Sequence, residues 1–351
     1  MKQMNFLAEY SRLDRLSEMG DPLEKVAVTV DWELFRPIID NTLRKEPYAK
    51  GGRPPFDSIM MFKIVMLQQW YGIADDNTEY LINDRLSFQR FLGLSLGDKV
   101  PDAKTIWLFK ENLAKSGIGK KLFTLFERQM ERLHVITRKG SIVDATFVEA
   151  PRQRNTKEEN ELLKTGETPP EWEKNIHKIR QKDKDARWAK KREVFHFGYK
   201  NHVKADKDSK MIVSYSVTDA SVHDSKEIAG LIDIRDKKLW ADSAYTNTSY
   251  VAYWDIRKKA SKMGIDILIH ERAYRSRPLT AKQKETNREK SKVRARVEHI
   301  FGTMRMTMGG CYVRCIGIGR VSIAVAMKNL AYNIRRFVYL ANQGIPAPII
   351  E

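Results

Sequence analysis

The chain has 351 residues, of which 42% are hydrophobic and 31% charged, and its 63 Lys or Arg against 45 Asp or Glu give a formal net charge of +18. This size predicts two domains with substantial cores, and the charge favours a polyanionic partner, with nucleic acid ahead of a ribosomal or membrane surface. The sequence lacks a signal-peptide core and any run of about 18 apolar residues, so we expect a cytoplasmic protein and no membrane partner.

Residues 1–138 are predicted to form an all-helical N-terminal domain. Apolar residues recur there at helical spacing, and no strand pattern competes with them. The segment that follows Pro54 and Pro55 offers Asp57 as a helix cap and then runs apolar to Tyr71, which predicts a buried core helix. The domain suits either the binding of DNA ends or dimerisation, and the sequence does not choose between them.

From residue 139 to residue 351 the pattern predicts an α/β domain, in which a sheet is flanked by helices and followed by a C-terminal helical region. The predicted strands are Ser141–Val148, Val194–Val203, Met211–Val217, Lys238–Asp242 and Ile265–His270. The predicted helices are Asp224–Ile234, Ser249–Met263, one that holds Glu298, and Val321–Leu340. The last helix is amphipathic and is expected to pack on the sheet.

A polar segment at about residues 149–193 interrupts the sheet and is read as a basic insertion. Its second half, Lys174–Arg192, holds nine Lys or Arg and two Asp, a net charge of +7, with Trp172 and Trp188 nearby. Cations with aromatics suit phosphate contact and base stacking. The alternative is a solvated arm that the tryptophans anchor. A second basic stretch, Arg272–Arg296, carries a net charge of +8 and leads towards Glu298.

Three acidic residues are the strongest candidates for chemistry: Asp144, Asp242 and Glu298. The two aspartates interrupt apolar runs, where an ionised carboxylate is costly to bury unless a cation or a hydrogen bond compensates it. Carboxylates from neighbouring strands and a helix can converge on two Mg²⁺ ions, which prefer oxygen ligands. As an alternative, the aspartates accept backbone hydrogen bonds and Glu298 pairs on the helix surface with Arg294, four residues earlier.

Several basic residues near these elements are candidates for contact with DNA: Lys190, Lys191, Arg192, Lys200, His202, Lys292, Arg294 and Arg305. Lys200 and His202 are two residues apart in a predicted strand and therefore face the same side. They suit a phosphate contact, and an ordinary strand surface with a satisfied histidine is the alternative. Trp240 and Tyr245 flank Asp242 and suit either base stacking or core packing.

Several motifs together resemble the DDE transposases of bacterial insertion sequences, and are most similar to the insertion sequence five group. The strings that carry the resemblance are GGRPPFDSIMMFKIVMLQ, NDRLSFQRFLGL, VPDAKTIWLFKENL, IVDATFVEAPRQ, HFGYKNHVKAD, VTDASVHDSKE, WADSAYTN and RARVEHIFGTMR. The resemblance implies an RNase H-like mixed sheet on which Asp144, Asp242 and Glu298 are catalytic residues that bind two Mg²⁺ ions, or Mn²⁺ in their place. It implies no other cofactor.

The resemblance also implies that the enzyme binds the terminal inverted repeats of its element as double-stranded DNA. It would hydrolyse one strand to free a 3′ hydroxyl and transfer that hydroxyl to target DNA, as a homodimer in the bacterial cytoplasm, associated with the nucleoid. Two alternatives are a catalytically silent DNA-binding protein of transposase descent and a metal-dependent nuclease that does not join strands. Inverted repeats on both sides of the gene would favour transposition.

Related transposases carry a tyrosine, arginine, glutamate and lysine signature around the last acid. Arg294 and Glu298 match it, whereas Ser291 stands at the tyrosine position and Arg305 at the lysine position. Arginine keeps the positive charge and can contact phosphate through two donors.

Overall fold

A computed structural model describes residues 6–43, 54–191, 193–246, 257–273 and 278–344. The helices are α1 (Phe6–Glu18), α2 (Pro22–Thr29), α3 (Arg36–Leu43), α4 (Ser58–Tyr71), α5 (Asp75–Asp84), α6 (Leu86–Leu92), α7 (Ala103–Ser116), α8 (Gly119–Arg132), α9 (Lys157–Thr165), α10 (Pro170–Glu173), α11 (Ile176–Gln181), α12 (Ile228–Leu231), α13 (257–262), α14 (Ala281–Thr307) and α15 (Ile318–Ala341). The strands are β1 (Ser141–Glu149), β2 (Arg187–Lys191), β3 (Val194–Asp206), β4 (Ile212–Asp219), β5 (Lys238–Ala241) and β6 (Asp266–Ile269). Among the described residues, no helix combines the length and apolar character that a membrane crossing needs.

The chain divides into two compact units. The helical unit comprises Met1–Gln129, Thr307–Gly309 and Ala326–Glu351, and the sheet unit comprises Met130–Met306 and Gly310–Val325. The predicted boundary at residue 138 assigned the whole C-terminal region to the sheet domain. The structure instead groups the chain from Ala326 onward with the N-terminal helices.

Helix α4 is the central helix of the helical unit, and its local sequence explains its limits. Asp57 caps it by accepting a hydrogen bond from the Met60 amide, and Gly72 ends it in the left-handed conformation at φ 64°. Between these residues, ten of the fourteen side chains of the helix are buried. A cluster of aromatic rings packs around Trp32, which meets Phe91 edge to face at 5.5 Å. The predicted core helix is therefore present.

The second half of helix α15, from Ala326 onward, belongs to the helical unit, whereas its amphipathic pattern predicted packing on the sheet. The indole Nε1 of Trp70 donates a hydrogen bond to the carbonyl oxygen of Ala331 at 2.8 Å, and the ring of Phe126 lies 6.1 Å from that of Phe337. An amphipathic pattern identifies a face that must be buried but does not identify its partner. Here the partner from Ala326 onward is the helical unit.

Two glycines approach each other closely within the helical unit. Gly72 and Gly309 both have positive φ, 64° and 71°, and a Cβ on Gly72 would lie 2.8 Å from the Cα of Gly309. Gly72→Ala is therefore expected to destabilise the protein by about 2–4 kcal/mol, because a left-handed alanine costs about 1–2 kcal/mol and the overlap adds more. Gly93→Ala is the matched control, because Gly93 has φ 73° but open space around its Cα. Urea denaturation of both variants checks this, and equal losses would contradict it.

The sheet has the order β2-β3-β1-β5-β6, and β4 also pairs with β3. Strand β3 is antiparallel to both of its neighbours β1 and β4, whereas β1, β5 and β6 run parallel. Gly198 pairs with Glu149 of β1 and with Arg187 of β2, so β2 and β4 follow one another along the outer edge of β3. This is a mixed sheet, as predicted, with β2 as an additional strand inside the basic insertion.

The strand register decides which side chains share a face of the sheet. Asp144 pairs with Val203, and Ala145 pairs with His202, so Asp144 and His202 point to opposite faces. The face of Ala145 and Val143 carries an apolar core that includes Val143, Leu231 and Tyr245. Helix α14 reaches the Asp144 face through its arginine side chains.

The insertion is more ordered than a solvated arm. Helix α9 begins with a capping box between Thr156 and Glu159. Trp172 is fully buried, and its Nε1 donates to the Glu159 carboxylate at 2.6 Å. Trp188, in contrast, is 40% exposed on β2. Thus Trp172 is an anchor, and Trp188 remains accessible.

The two helices predicted between the strands are only partly observed. The segment predicted as Asp224–Ile234 forms a 3₁₀ turn, Asp224–Lys226, followed by the short helix α12. Of the helix predicted at Ser249–Met263, only the part in α13 lies within the described residues.

Candidate active site

Asp144 lies in the middle of β1 with its side chain 20% exposed. Its Oδ1 accepts a hydrogen bond from the Ala145 amide at 2.8 Å. Burial raises the pKa of Asp144 above its ordinary value, although the neighbouring Arg294 guanidinium acts in the opposite direction. Strand β1 thus holds the Asp144 carboxyl group in a buried setting that disfavours its charged form.

Asp242 directly follows β5, the parallel neighbour of β1. Ile142 pairs with Trp240, and continuing this register by two residues sets Asp144 beside Asp242. The Asp242 side chain is 43% exposed, and its Oδ1 accepts a hydrogen bond from the Ser243 amide at 2.6 Å. The short strand β5 ends at Ala241, beside the middle of the longer β1, which explains why these two aspartates meet.

Arg294 of α14 lies between the two aspartates. Its Nη2 is 3.4 Å from Asp144 Oδ2, and its Nη1 is 3.7 Å from Asp242 Oδ1. The Arg294 Nε is buried and has no hydrogen-bond partner among the described residues. One guanidinium therefore pairs with both carboxylates.

Glu298 follows Arg294 by one helical turn on α14 and is exposed. Within the described parts of the chain, no three His, Cys, Asp or Glu side chains are close enough together to hold a metal ion. The structure therefore brings together two of the three predicted acids and places the third on the helix that carries Arg294. The carboxylate oxygens of Asp144 and Asp242 fit a hard divalent cation, which would also relieve the burial penalty on Asp144.

Helix α14 is fastened to the end of β6 by polar contacts. His270 Nε2 lies 2.9 Å from Ser291 Oγ, and its Nδ1 lies 3.2 Å from the carbonyl oxygen of Ala241. Lys290 Nζ donates to the carbonyl oxygen of Ile269 at 2.8 Å. These contacts position the turn that holds Arg294. His270 was not predicted from the sequence, although its place at the end of a predicted strand is a usable signal.

Trp240 and Tyr245 belong to the core and do not offer a stacking surface. Trp240 is 8% exposed and Tyr245 is 1% exposed. The Tyr245 hydroxyl has no hydrogen-bond partner among the described residues. Burial, with a further contribution from the charge of Asp144, raises its pKa well above the ordinary value. Core packing is the role that the structure supports for both rings.

His202 cannot contact DNA in this structure, contrary to the prediction, because its side chain is fully buried. Its Nε2 lies 2.9 Å from Thr218 Oγ1, and burial lowers its pKa. Lys200 does share its face, as predicted, but its Nζ donates to the carbonyl oxygen of Val222 at 2.7 Å and pairs with Asp224 at 2.9 Å. Alternation along a strand gives the side of a residue but does not tell which side is covered.

The other predicted basic residues lie nearer the surface. Lys190 and Lys191 are exposed on β2, and Lys190 Nζ pairs with Glu193 at 3.1 Å. Arg192 lies outside the described residues. Lys292 is exposed on α14, and Arg305 Nη2 donates to Thr146 Oγ1 on β1 at 3.0 Å.

In metal-free protein, Asp144→Asn is expected to raise the melting temperature at neutral pH. The folded pKa of Asp144 lies above its unfolded value, so native stability falls as the pH rises through the folded pKa and this carboxyl ionises. The amide does not ionise, so the advantage of the variant should vanish below about pH 4, where the unfolded carboxyl is protonated too. Thermal denaturation in EDTA across this range checks this, and a variant less stable than wild type at neutral pH would contradict it.

Two family matches cover most of the chain. Residues 11–112 match the family described as Transposase domain (DUF772), and residues 136–334 match the family described as Transposase DDE domain. A solved structure described as a piggyBac transposase synaptic complex with hairpin DNA is similar over 93% of this chain and 77% of that chain, with a TM-score of 0.44 and 12% identity. A TM-score of that size is too low to decide the fold.

The matched DDE domain contains β1, β5 and α14, and hence Asp144, Asp242, Arg294 and Glu298. Proteins of this family generally use divalent metal ions. Since the match spans more than half of the sequence, the chain belongs to the DDE transposase family of the insertion-sequence type and is a DDE-type transposase.

Proposed function

We propose that this transposase binds the terminal inverted repeats of its own element, hydrolyses one DNA strand to free a 3′ hydroxyl and transfers it to target DNA. Divalent cations, two Mg²⁺ or Mn²⁺, would be held by Asp144, Asp242 and Glu298. The observation that carries the proposal is the convergence of Asp144 and Asp242 on Arg294, one helical turn before Glu298. Because two ends must be cut together, we propose that two copies act on the DNA.

The sheet topology supports an RNase H-like arrangement. In the order β4-β3-β1-β5-β6, the first three strands are antiparallel and the last three are parallel. The motifs quoted from the sequence support placement in the insertion sequence five group.

Each residue of the site has a role that follows from its position. Asp144 is fixed by the β1 ladder, whereas the more exposed Asp242 follows a strand end and can adjust its side chain. Cations held by these carboxylates would supply activation of the attacking oxygen and stabilisation of the leaving oxygen. Arg294 and Arg305 supply positive charge for the phosphates of the bound strand, and the His270–Ser291 contact keeps α14 in place.

The β2–β3 hairpin is the surface that we propose for contact with DNA beside the site. Trp188 and Phe195 are 40% and 55% exposed. By the strand register they lie with Lys190 on the face of the sheet that carries Asp144. The Arg152 guanidinium lies 5.7 Å from the Trp188 ring centre. Exposed aromatics combined with cations suit stacked bases and phosphates.

Removing two cations from this hairpin is expected to weaken DNA binding in a salt-dependent manner. For Lys190→Gln combined with Lys191→Gln, the slope of log affinity against log salt should fall by about 2, since each lost phosphate contact removes about 0.9. The matched control is Lys164→Gln, because Lys164 lies on α9 of the same insertion and pairs with Glu161. Fluorescence anisotropy with duplex DNA at several salt concentrations measures the slopes. An unchanged slope in the double variant would contradict the assignment.

The proposed activity is tested with an oligonucleotide that represents a cut element end with a free 3′ hydroxyl, together with a plasmid target and Mg²⁺. Covalent joining of the end to the plasmid supports transposition. Nicking of uncut ends without joining would indicate a nuclease, and binding without either reaction would indicate a silent DNA-binding protein.

A further inference from the structure

We infer that Arg294 is an internal counter-ion of the active site, which divalent cations must displace before they can bind Asp144 and Asp242. The displaced guanidinium is then available to DNA phosphate. The inference rests on the proposed function, because it takes Asp144 and Asp242 as ligands of those cations.

The Arg294 guanidinium lies where a divalent metal ion would have to bind. The guanidinium approaches the two carboxylates from within the same gap, at 3.4 Å from Asp144 and 3.7 Å from Asp242. A guanidinium and a divalent cation repel each other, so they cannot share the gap at low cost. The Arg294 side chain is only 18% exposed, so solvent weakens its attraction for the carboxylates less than it does for a surface pair.

Arg294 is nevertheless loosely held. Charge-assisted hydrogen bonds are normally about 2.7–2.9 Å long, and both of its carboxylate contacts exceed that range. Its buried Nε has no hydrogen-bond partner among the described residues. By contrast, Arg296 Nη1 donates to the carbonyl oxygen of Lys207 at 2.8 Å, and Arg305 donates to Thr146 at 3.0 Å. Of these three arginines on α14, Arg294 alone has no polar contact shorter than 3.4 Å to a described residue.

A displaced Arg294 couples the binding of cations to the binding of DNA. Without DNA, a cation must compete with the guanidinium for both carboxylates. With DNA bound, a phosphate accepts the guanidinium and the competition is relieved. By linkage, the factor by which DNA strengthens cation binding equals the factor by which cations strengthen DNA binding. The arrangement would hold back metal binding until DNA is in place.

The experiment measures Mn²⁺ binding to the full-length, DNA-free protein by isothermal titration calorimetry. Arg294→Gln is expected to bind Mn²⁺ roughly three- to tenfold more tightly than wild type, the factor that corresponds to one or two partly exposed ion pairs. Arg296→Gln is the matched control. It removes the same charge two residues away, and the ion pair that it breaks is with Asp208 instead of Asp144 or Asp242. Its affinity for Mn²⁺ should remain close to that of wild type.

Arg294→Lys serves as a second variant if the glutamine variant does not fold. Lysine keeps one charge but cannot bridge both carboxylates through separate donors, so an intermediate affinity is expected. The counter-ion role would be overturned if the Arg294 variants bound Mn²⁺ as tightly as wild type or more weakly, while Asp144→Asn still abolished Mn²⁺ binding. That result would leave the metal site intact. No Mn²⁺ binding that depends on Asp144 in any variant would overturn the metal site and the inference together.

Discussion

Asp144→Asn is expected to slow metal-dependent DNA cleavage by about 10³-fold or more, because a bound divalent cation contributes several kcal/mol of charge stabilisation to the transition state. The variant loses a charged oxygen ligand at a position that β1 fixes from both sides. It loses no positive charge, so its affinity for duplex DNA, measured in EDTA, should stay within about twofold of wild type. Single-turnover cleavage and anisotropy on the same protein preparation measure the two quantities.

The matched control for this variant is Asp208→Asn. Asp208 is a partly exposed aspartate of the same unit, 3.4 Å from Arg296 and remote in sequence from the strand ends that form the site. The Asp208→Asn variant should cleave DNA at the wild-type rate. If folded Asp144→Asn retained wild-type cleavage, Asp144 could not be a ligand of the reacting cation.

Asp236→Ala is expected to lower the free energy of unfolding by about 3–5 kcal/mol, because it leaves a buried charge without its partner. Lys204 Nζ lies 2.7 Å from Asp236 Oδ2, and these side chains are only 1% and 0% exposed. Asp236 also accepts a hydrogen bond from Ser141 Oγ at 2.8 Å, at the start of the strand that carries Asp144. The pair thus joins β1, β3 and the segment before β5 within the sheet unit.

Urea denaturation of Asp236→Ala and of the double variant Lys204→Met with Asp236→Leu distinguishes two contributions to the free energy of unfolding. One is the loss when a single partner of the ion pair is removed, and the other is the net contribution of the intact pair. Replacing both partners by apolar residues of similar volume often costs little, so the double variant should recover most of the lost stability. If the double variant were as unstable as Asp236→Ala, the loss would come from packing or from the other hydrogen bonds of Asp236 instead of an unpaired Lys204.

The apolar runs predicted five of the six strands in the described part of the chain closely. Strand β2 was not predicted, because three of its five residues are basic and, among the described residues, it pairs only with β3, at an edge of the sheet. A charged edge strand forms largely because of the strand beside it, so its own sequence shows no clear strand pattern. The packing partner of helix α15 was wrongly predicted for a similar reason, because its amphipathic pattern does not specify the surface on which the helix packs.

The convergence of Asp144 and Asp242 from adjacent strands was a prediction from the sequence, whereas the parallel pairing of β1 and β5 that sets them side by side was not predicted. The position of Arg294 between them was not predicted either. Helical spacing suggested a pair with Glu298 on the same helix, whereas the side chain reaches across to the sheet. His202 failed as a candidate because the core covers its face, which only the assembled sheet reveals.

We propose that Asp144, Asp242 and Glu298 make the protein a metal-dependent enzyme that acts on the ends of its own element. The most direct test of this proposal is cleavage of a DNA fragment that carries the flanks of the gene, with Mg²⁺ or with EDTA, by wild type and by Asp242→Asn. We predict nicks at the element ends by wild type with Mg²⁺, none with EDTA and none by the folded variant. Tight binding of the flanks without any metal-dependent nick, or cleavage retained by Asp242→Asn, would contradict it.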